Sequence, residues 1–201
     1  AYHESGHAVV AELCEKADPV HKVTIIPRGQ TLGVTYMRPD EDEYTYTREK
    51  YLDTVCMALG GRVAEQIFLG QMGSGAISDI QKVTNIARTM VTRLGMSNKL
   101  GPIAFESGNE QVFLGREYGR QSTVSEDTLQ VIDAEVSKIV HEQLDRAKQL
   151  LENNKDKVEA MTAALLERET IGREEVQLIM KGEKLPDPVI KELDITDDDE
   201  P

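Results

Sequence analysis

Two histidines and a glutamate near the start of the chain have the spacing of a metal site. His3 and His7 are four residues apart, and Glu4 directly follows the first histidine. On an α-helix, residues four apart share one face, with Cβ atoms about 5–6 Å apart. Both imidazoles can therefore bind one Zn²⁺ at Zn–N distances of about 2.0–2.1 Å, with the Glu4 carboxylate beside the metal. There it can accept a proton from a metal-bound water and pass it to a leaving amine.

This H-E-x-x-H pattern is typical of zinc peptidases, although three fixed residues in five also occur by chance. Mostly apolar residues follow it from Ala8 to Leu13, which predicts a buried helix. A buried histidine pair needs polar partners. Gly6 is a poor helix former, so its presence indicates that another group approaches this backbone closely. Both features favour a metal site over two solvated histidines.

The composition excludes several classes of partner. The 201 residues include 36 acidic and 23 basic side chains, a formal net charge of −13, with no basic cluster. This argues against nucleic acid or an anionic membrane surface as a partner. No apolar run approaches the ~20 residues of a membrane span, and no signal peptide is recognisable. Cys14 and Cys56 lie in apolar stretches without C-x-x-C spacing, which predicts buried, reduced thiols.

The elements that must position the site are mainly helical. β-branched runs predict strands at residues 21–26 and 33–37 that form a hairpin or a small sheet, followed by an exposed acidic loop at 38–46. The first helix is expected to end near residues 15–16. Hydrophobic periodicity predicts further helices at residues 48–69, 79–94, 125–153, 155–169 and 173–181. The pair Gly60-Gly61 inside the second helix indicates close packing against a neighbour.

These elements predict a mainly α fold. It consists of an H-E-x-x-H zincin-type helical core with a small β-hairpin or sheet, followed by a C-terminal antiparallel helical bundle. We expect a zinc peptidase domain over residues 1–183, with a catalytic core at 1–120 and the bundle at 121–183. Residues 184–201 are an acidic tail whose composition does not favour folding. Because a catalytic helix needs a preceding turn, we expect the chain to be part of a longer protein.

A zinc site with two histidines still needs a third protein ligand. The metzincin pattern H-E-x-x-H-x-x-G-x-x-H would place glycine and histidine where this chain has Val10 and Leu13, so that class is excluded. His21, His141 and the acidic residues remain as candidates. For both histidines, a surface or packing role is the favoured interpretation.

Several sequence blocks occur in an order that resembles a known family. They are H-E-S-G-H-A at 3–8, D-P-V-H-K-V-T-I-I-P-R-G at 18–29, G-G-R-V-A-E at 60–65, G-A-I-S-D-I at 75–80, M-V-T at 90–92, G-M-S at 95–97, L-G-P at 100–102 and V-F-L-G at 112–115. From residue 1 to about 180 the chain resembles the peptidase domain of FtsH, the membrane-anchored, ATP-dependent zinc metalloprotease of bacteria, mitochondria and chloroplasts.

The resemblance implies the roles of the site residues. His3 and His7 would bind zinc, Glu4 would be the general base, and Asp79 would be the third ligand. Asp79 follows a glycine-rich loop and opens a helix, where helix capping is the alternative role. Glu65 is the competing acid, and we expect it to orient a ligating histidine through its other ring nitrogen. The family often has a second glutamate after it, where this chain has Gln66.

The implied function is that of the zinc-dependent endopeptidase domain of an FtsH-like ATP-dependent protease. It would degrade unfolded or membrane proteins by attack of a zinc-bound water. Both predicted strands are candidates to hold an extended substrate by strand addition. The resemblance also implies one Zn²⁺ per chain and a homo-oligomer, expected to be a hexamer.

The rest of the implied protein lies outside these residues. The resemblance implies an upstream AAA+ ATPase module in the same full-length chain, which alone would use ATP, and no Walker A motif occurs here. It also implies an anchor in the bacterial inner membrane, with this domain in the cytoplasm and the fragment itself soluble.

Two other functions fit parts of the sequence. A free-standing zincin peptidase not coupled to an ATPase would retain the site without needing the long C-terminal helices. A zinc-free helical interaction domain would keep the helices but have no use for His3, Glu4 and His7 together. The zinc content of the protein separates the second function from the others, and dependence on an ATPase module tests the first.

Overall fold

A computed structural model of the protein describes residues 1–27, 33–39, 45–105 and 124–187. This described part is mostly helical, with six α-helices and one three-stranded antiparallel sheet. The predicted mainly α fold with a small sheet is therefore confirmed. Within the same ranges, no helix is both long enough and apolar enough to cross a membrane.

The helices follow the predicted order. They are α1 (Tyr2–Leu13), α2 (Arg48–Ala64), α3 (Ile77–Thr92), α4 (Glu126–Glu152), α5 (Lys155–Arg168) and α6 (Arg173–Lys181). α1 ends earlier than the predicted residues 15–16, because Cys14 already has an extended backbone. α2 continues directly into a π-helical turn at Glu65–Leu69, where the sequence predicted an uninterrupted α-helix. A short 3₁₀ turn at Ser74–Ala76 leads into α3.

The sheet contains one strand that the sequence did not predict. β1 (Val20–Thr24) pairs antiparallel with β2 (Val34–Met37) on one side, as expected, and with β3 (Thr170–Gly172) on the other. The chain enters β3 through Glu169, whose backbone has a left-handed φ of 60°. The Glu169 carbonyl accepts a hydrogen bond from the Ile25 N–H at 2.9 Å, which aligns β3 with β1. Three residues between two helices carry no periodicity that predicts a strand.

Two clusters of buried side chains hold the described helices together. The larger one joins α1, α2, α5, α6 and the sheet, and α4 contributes Ala147 and Leu151 to it. The smaller one lies between α3 and α4, with Met90, Ile132 and Ile139 near its centre. α4 therefore packs on both clusters. The division into a catalytic core and a C-terminal antiparallel bundle stays a prediction.

The end of α1 is tied to α2 and α4 by a buried carboxylate. Asp53 accepts hydrogen bonds from the Lys16 backbone N–H and from the Arg146 guanidinium. Cys14 and Cys56 are buried nearby and form no disulfide, which confirms the predicted thiols. These contacts fix the C-terminal end of α1, so its N-terminal half is held at a defined place beside α2.

Three predicted segments lie wholly or partly outside the described residues. They are the acidic loop at 38–46, the V-F-L-G block at 112–115 and the acidic tail at 184–201.

Candidate metal centre

α1 and α2 cross with their backbones in direct contact, and this crossing forms the floor of the site. A Cβ atom at Gly6 would lie only 2.4 Å from the Gly60 carbonyl oxygen. A Cβ at Gly61 would lie 2.5 Å from His7 Nε2 and 2.8 Å from His3 Nε2. Both distances are too short for a side chain, so these positions require glycine. The close approach predicted from Gly6 and from the glycine pair is confirmed.

The two histidines of α1 point their Nε2 atoms at one place. The Nε2 atoms of His3 and His7 are 3.0 Å apart, and their rings meet edge to face with centroids 4.6 Å apart. This follows from their spacing of four residues on one helix. His7 is buried, whereas His3 is partly exposed to the cleft.

Asp79 reaches the same place from the first turn of α3. Its Oδ2 atom lies 3.3 Å from His3 Nε2 and 3.5 Å from His7 Nε2. In a tetrahedral zinc site with bonds of about 2.0–2.1 Å, neighbouring ligand atoms are about 3.3 Å apart. The three atoms therefore have the separations of a facial set of zinc ligands. Among the described residues, they are the cluster that could hold a metal ion.

The other nitrogen of each imidazole is already engaged. His7 Nδ1 donates to the Met57 carbonyl at 2.9 Å, and His3 Nδ1 donates to Glu65 Oε1 at 3.0 Å. With the proton on Nδ1, each Nε2 keeps a lone pair directed at the common point. Glu65 lies where the sequence expected it, and its second oxygen accepts the Gly73 N–H at 3.3 Å. Glu65 thus connects α1 to the loop that leads to Asp79.

The charges at the site favour an anionic Asp79. Burial raises the pKa of Asp79, but hydrogen bonds to both histidines lower it more, so the pKa lies well below its usual range. Burial lowers the pKa of His3, but Asp79, Glu4 and Glu65 together raise it above its ordinary value. An ionised carboxylate facing two imidazole nitrogens is a donor set that suits a divalent cation.

Glu4 lies beside these three residues and does not join them. Its Oε2 atom accepts a hydrogen bond of 2.8 Å from the Thr35 hydroxyl on β2. Its side chain also passes close to Gly33, where a Cβ atom would lie 2.9 Å from Glu4 Oε1. Thr35 was not among the predicted site residues, because its only signal in the sequence is its position in a predicted strand.

Comparison with known proteins identifies the family. Residues 1–179 match peptidase family M41, which is nearly the whole described chain. The chain belongs to peptidase family M41. It is therefore a metalloprotease, and the resemblance to the FtsH peptidase domain is confirmed.

Three relatives of this M41 chain are named ATP-dependent zinc metalloprotease FtsH. The ATP-dependent zinc metalloprotease FtsH of Cupriavidus metallidurans is 51% identical over 182 residues, covering 90% of this chain and 28% of that protein. The protein of that name from Acidobacterium capsulatum is 50% identical over 187 residues, covering 92% and 29%. The one from Bacillus subtilis is 44% identical over 199 residues, covering 98% and 31%. The chain spans less than a third of the length of these relatives.

The two remaining histidines of this M41 chain lie away from the cluster. His21 is exposed on β1, and His141 is exposed on α4, where its Nδ1 contacts the Ser137 carbonyl at 2.8 Å. Neither belongs to the three-residue group that could hold a metal. Both side chains are exposed, which agrees with the surface or packing role favoured for them.

An open cleft runs over the site between β2 and α3. One wall is formed by Gly33, Val34 and Thr35, and the opposite wall includes Asp79 and Lys82. Among the described strands the order is β2-β1-β3, so β2 is an edge strand of the described sheet and β1 is paired on both sides. The expectation that residues 21–26 could receive a substrate strand is therefore wrong, since β1 has no open edge.

Proposed function

We propose that this chain is the zinc-dependent endopeptidase domain of an FtsH-type ATP-dependent protease. His3, His7 and Asp79 would hold one Zn²⁺ per chain. The observation that carries the proposal is the convergence of two Nε2 atoms and one Oδ2 atom within 3.0–3.5 Å of each other. A helix-capping role does not require this convergence, because capping involves only the backbone of α3.

The donor set fits zinc in its chemistry as well as its spacing. Two neutral imidazoles and one carboxylate form the three-ligand set of a catalytic zinc, which leaves a fourth position open. Zinc held there would supply a Lewis acid that activates water and polarises a scissile carbonyl. The Met57 carbonyl and the Glu65 carboxylate keep both histidines in the required tautomer.

Glu4 is the general base in this proposal. Its carboxylate lines the cleft next to the ligands and is anchored through one oxygen, Oε2. Within the part of the chain that the structure describes, Oε1 accepts no hydrogen bond, so it can take the proton of the attacking water. The same carboxyl group can then protonate the leaving amine, as general acid–base catalysis requires.

The substrate would bind as an extended strand along β2. The open edge of β2 offers backbone N–H and C=O groups on the wall of the cleft beside Glu4. Strand addition uses main-chain hydrogen bonds and therefore needs unfolded polypeptide, with little dependence on side chains. This suits an enzyme that degrades unfolded or membrane proteins.

The proposal for the whole protein goes further than this domain. The relatives are named ATP-dependent, and this chain spans less than a third of their length. We therefore infer an AAA+ ATPase module in the same full-length protein, which feeds substrate to the cleft. The family resemblance supports a homohexamer and an anchor in the bacterial inner membrane, with this domain in the cytoplasm.

The replacement of Glu4 by Gln tests the proposal directly. Zinc binding should remain close to one ion per chain, because the three ligands are untouched. Casein hydrolysis should fall about 10²–10⁴-fold, since the proton acceptor is lost. Zinc content by metal analysis and hydrolysis by fluorescent casein would be measured on the same sample.

The matched control is Glu15→Gln, the same change at an exposed side chain just after α1. It should leave both zinc content and hydrolysis unchanged. A zinc-loaded Glu4→Gln protein that retained full hydrolysis would refute the assignment of the base. Casein hydrolysis that needs no upstream ATPase module would favour a free-standing peptidase.

A further inference from the structure

We infer that Thr35 is a positioning residue that holds the general base Glu4 in its working orientation. The inference rests on the proposed function, because it assigns a partner to the residue proposed as the base. Thr35 lies on β2 and Glu4 on α1, 31 residues apart in the sequence. Their contact therefore exists only in the folded chain.

The side chain of Thr35 points at α1 because of its register in the sheet. Thr35 lies directly opposite Val23 in the antiparallel pair of β1 and β2. Residues opposite each other across an antiparallel pair project on the same face. Val23 is fully buried in the cluster that includes α1, so Thr35 is also directed at α1.

The Thr35 hydroxyl donates its hydrogen bond to the side-chain carboxylate of Glu4 and not to its backbone carbonyl. It lies 2.8 Å from Oε2 and 3.3 Å from the Glu4 carbonyl oxygen. A hydroxyl has one proton, so the shorter contact marks the donated bond. A hydrogen bond to an ionised carboxylate is among the strong ones.

Gly33 confines the same carboxylate from a second direction. A Cβ atom at Gly33 would lie 2.9 Å from both Glu4 Cγ and Glu4 Oε1. The Glu4 side chain therefore lies against the bare backbone of Gly33, just before β2, and cannot turn away on that side. Glutamate has much rotamer freedom to lose, and this pair of contacts removes it before a substrate arrives.

The two carboxylate oxygens of Glu4 have different roles in this arrangement. Thr35 binds Oε2, and Oε1 is left for the proton that is transferred. Small errors in the position of a reacting group can lower a rate about 10²-fold. The strand that would receive the substrate thus also sets the position of the base.

The test compares Thr35→Val with Thr35→Ser in the zinc-loaded protein. Valine has the shape of threonine without the donor, and serine retains the hydroxyl. We expect Thr35→Val to lower kcat roughly 10–100-fold, as losses of orienting partners typically do, with KM within about twofold. Thr35→Ser should recover most of kcat, and both should contain one zinc per chain.

The matched control is Thr24→Val, the same change on the neighbouring strand. The Thr24 hydroxyl contacts Thr170 and the Glu169 carbonyl, not Glu4. This variant should lose stability but keep kcat close to that of the parent. Thr35→Ala serves as a second donor-free variant, should the valine fail to fold, and it should show the same loss of kcat.

A second measurement does not depend on activity. The midpoint of urea unfolding, at a fixed excess of zinc, would be compared for Thr35→Val, Glu4→Ala and the double variant. Thr35→Val should lower the midpoint when Glu4 is present and should lower it less in Glu4→Ala, where only the backbone carbonyl of residue 4 remains near the hydroxyl. Additive shifts would mean that the two side chains do not interact, and would overturn the inference.

The remaining outcomes separate this inference from the proposed function. An inactive Glu4→Gln combined with a fully active, zinc-loaded Thr35→Val would overturn only the role of Thr35. Equal losses in Thr35→Val and Thr35→Ser, or a change confined to KM, would do the same. A fully active Glu4→Gln would refute the proposed function, and with it any base for Thr35 to position.

Discussion

The crossing of α1 and α2 and the packing of α4 on α3 are two different kinds of helix contact. At the crossing, Gly6 and Gly60 place backbone against backbone, and no side chain fits between them. Between α3 and α4, large side chains such as Met90 and Ile132 fill the space. The first contact leaves no room between the two backbones, whereas the second buries apolar surface.

This difference separates the two tasks of the domain. A metal centre needs ligand atoms at set distances, which a contact between rigid backbones provides. Stability needs buried apolar surface, which side-chain packing provides and which contributes about 25 cal/mol per Å². Substitutions in the first region should therefore alter zinc binding, and those in the second should alter the free energy of unfolding.

The largest effect is expected where the site loses a ligand. Asp79→Ala should all but empty the site, because the carboxylate within 3.5 Å of both imidazole nitrogens is removed. Glu65→Ala removes only a hydrogen-bond partner of His3, and such losses typically cost about 10–100-fold in affinity or activity. Zinc titration at limiting free metal would rank the two variants. The reverse ranking would mean that Glu65, not Asp79, is the third ligand.

A smaller loss of zinc affinity is expected from Gly61→Ala. The added methyl group would lie 2.5 Å from His7 Nε2 and 2.8 Å from His3 Nε2, so the imidazole rings or the two helices must shift and the ligand atoms with them. Forcing a methyl group into a packed region costs roughly 1–3 kcal/mol, which corresponds to about 5–150-fold in affinity. Competition with a chelator of known affinity would measure it.

Gly172→Ala is the matched control for this glycine. A Cβ atom there would have its nearest neighbour at 3.9 Å, and the backbone suits alanine. Its zinc affinity should equal that of the parent. A Gly61→Ala protein that binds zinc as tightly as this control would show that the crossing does not set the ligand distances.

A substitution in the cluster between α3 and α4 should hardly change the affinity for zinc. Ile132 is 2% exposed in the smaller cluster, and Ile132→Ala should lower the free energy of unfolding by about 2–5 kcal/mol. Zinc affinity at a temperature where the protein is folded should change less than about twofold, because none of the three proposed ligands is a member of that cluster and Asp79 lies at the other end of α3. Urea unfolding and zinc titration would be measured together.

Lys138→Ala, at an exposed position of α4, is the control and should change neither quantity. A large loss of zinc affinity in Ile132→Ala would show that the packing of α4 on α3 also affects the metal site, so the two regions would not have separate tasks.

Patterns within short stretches of the sequence were sufficient to predict much of this fold. Helical periodicity predicted all six described α-helices, with ends displaced by a few residues, because each buries a recognisable apolar face. The spacing of His3 and His7 predicted their convergence, since a single helix turn connects them. Gly6 indicated that another group approaches its backbone closely, because glycine is a poor helix former.

Local sequence patterns could not predict contacts between segments that are distant in the sequence. The strand β3 has three residues and is a strand only because Glu169 aligns it with β1. The π-helical turn that begins at Glu65 carries no signal in the residue pattern. β1 became an inner strand through this unpredicted partner, which is why its predicted role in substrate binding failed.

The sequence by itself determined the helices, two strands and, through family resemblance, the residues expected at the site. The tertiary structure alone decided how those residues meet. Asp79 comes within 3.5 Å of both histidines, and Thr35 holds Glu4, because packing joins segments that are 31 to 76 residues apart. Distances of this kind depend on how helices and strands pack, and no periodicity within one element contains that information.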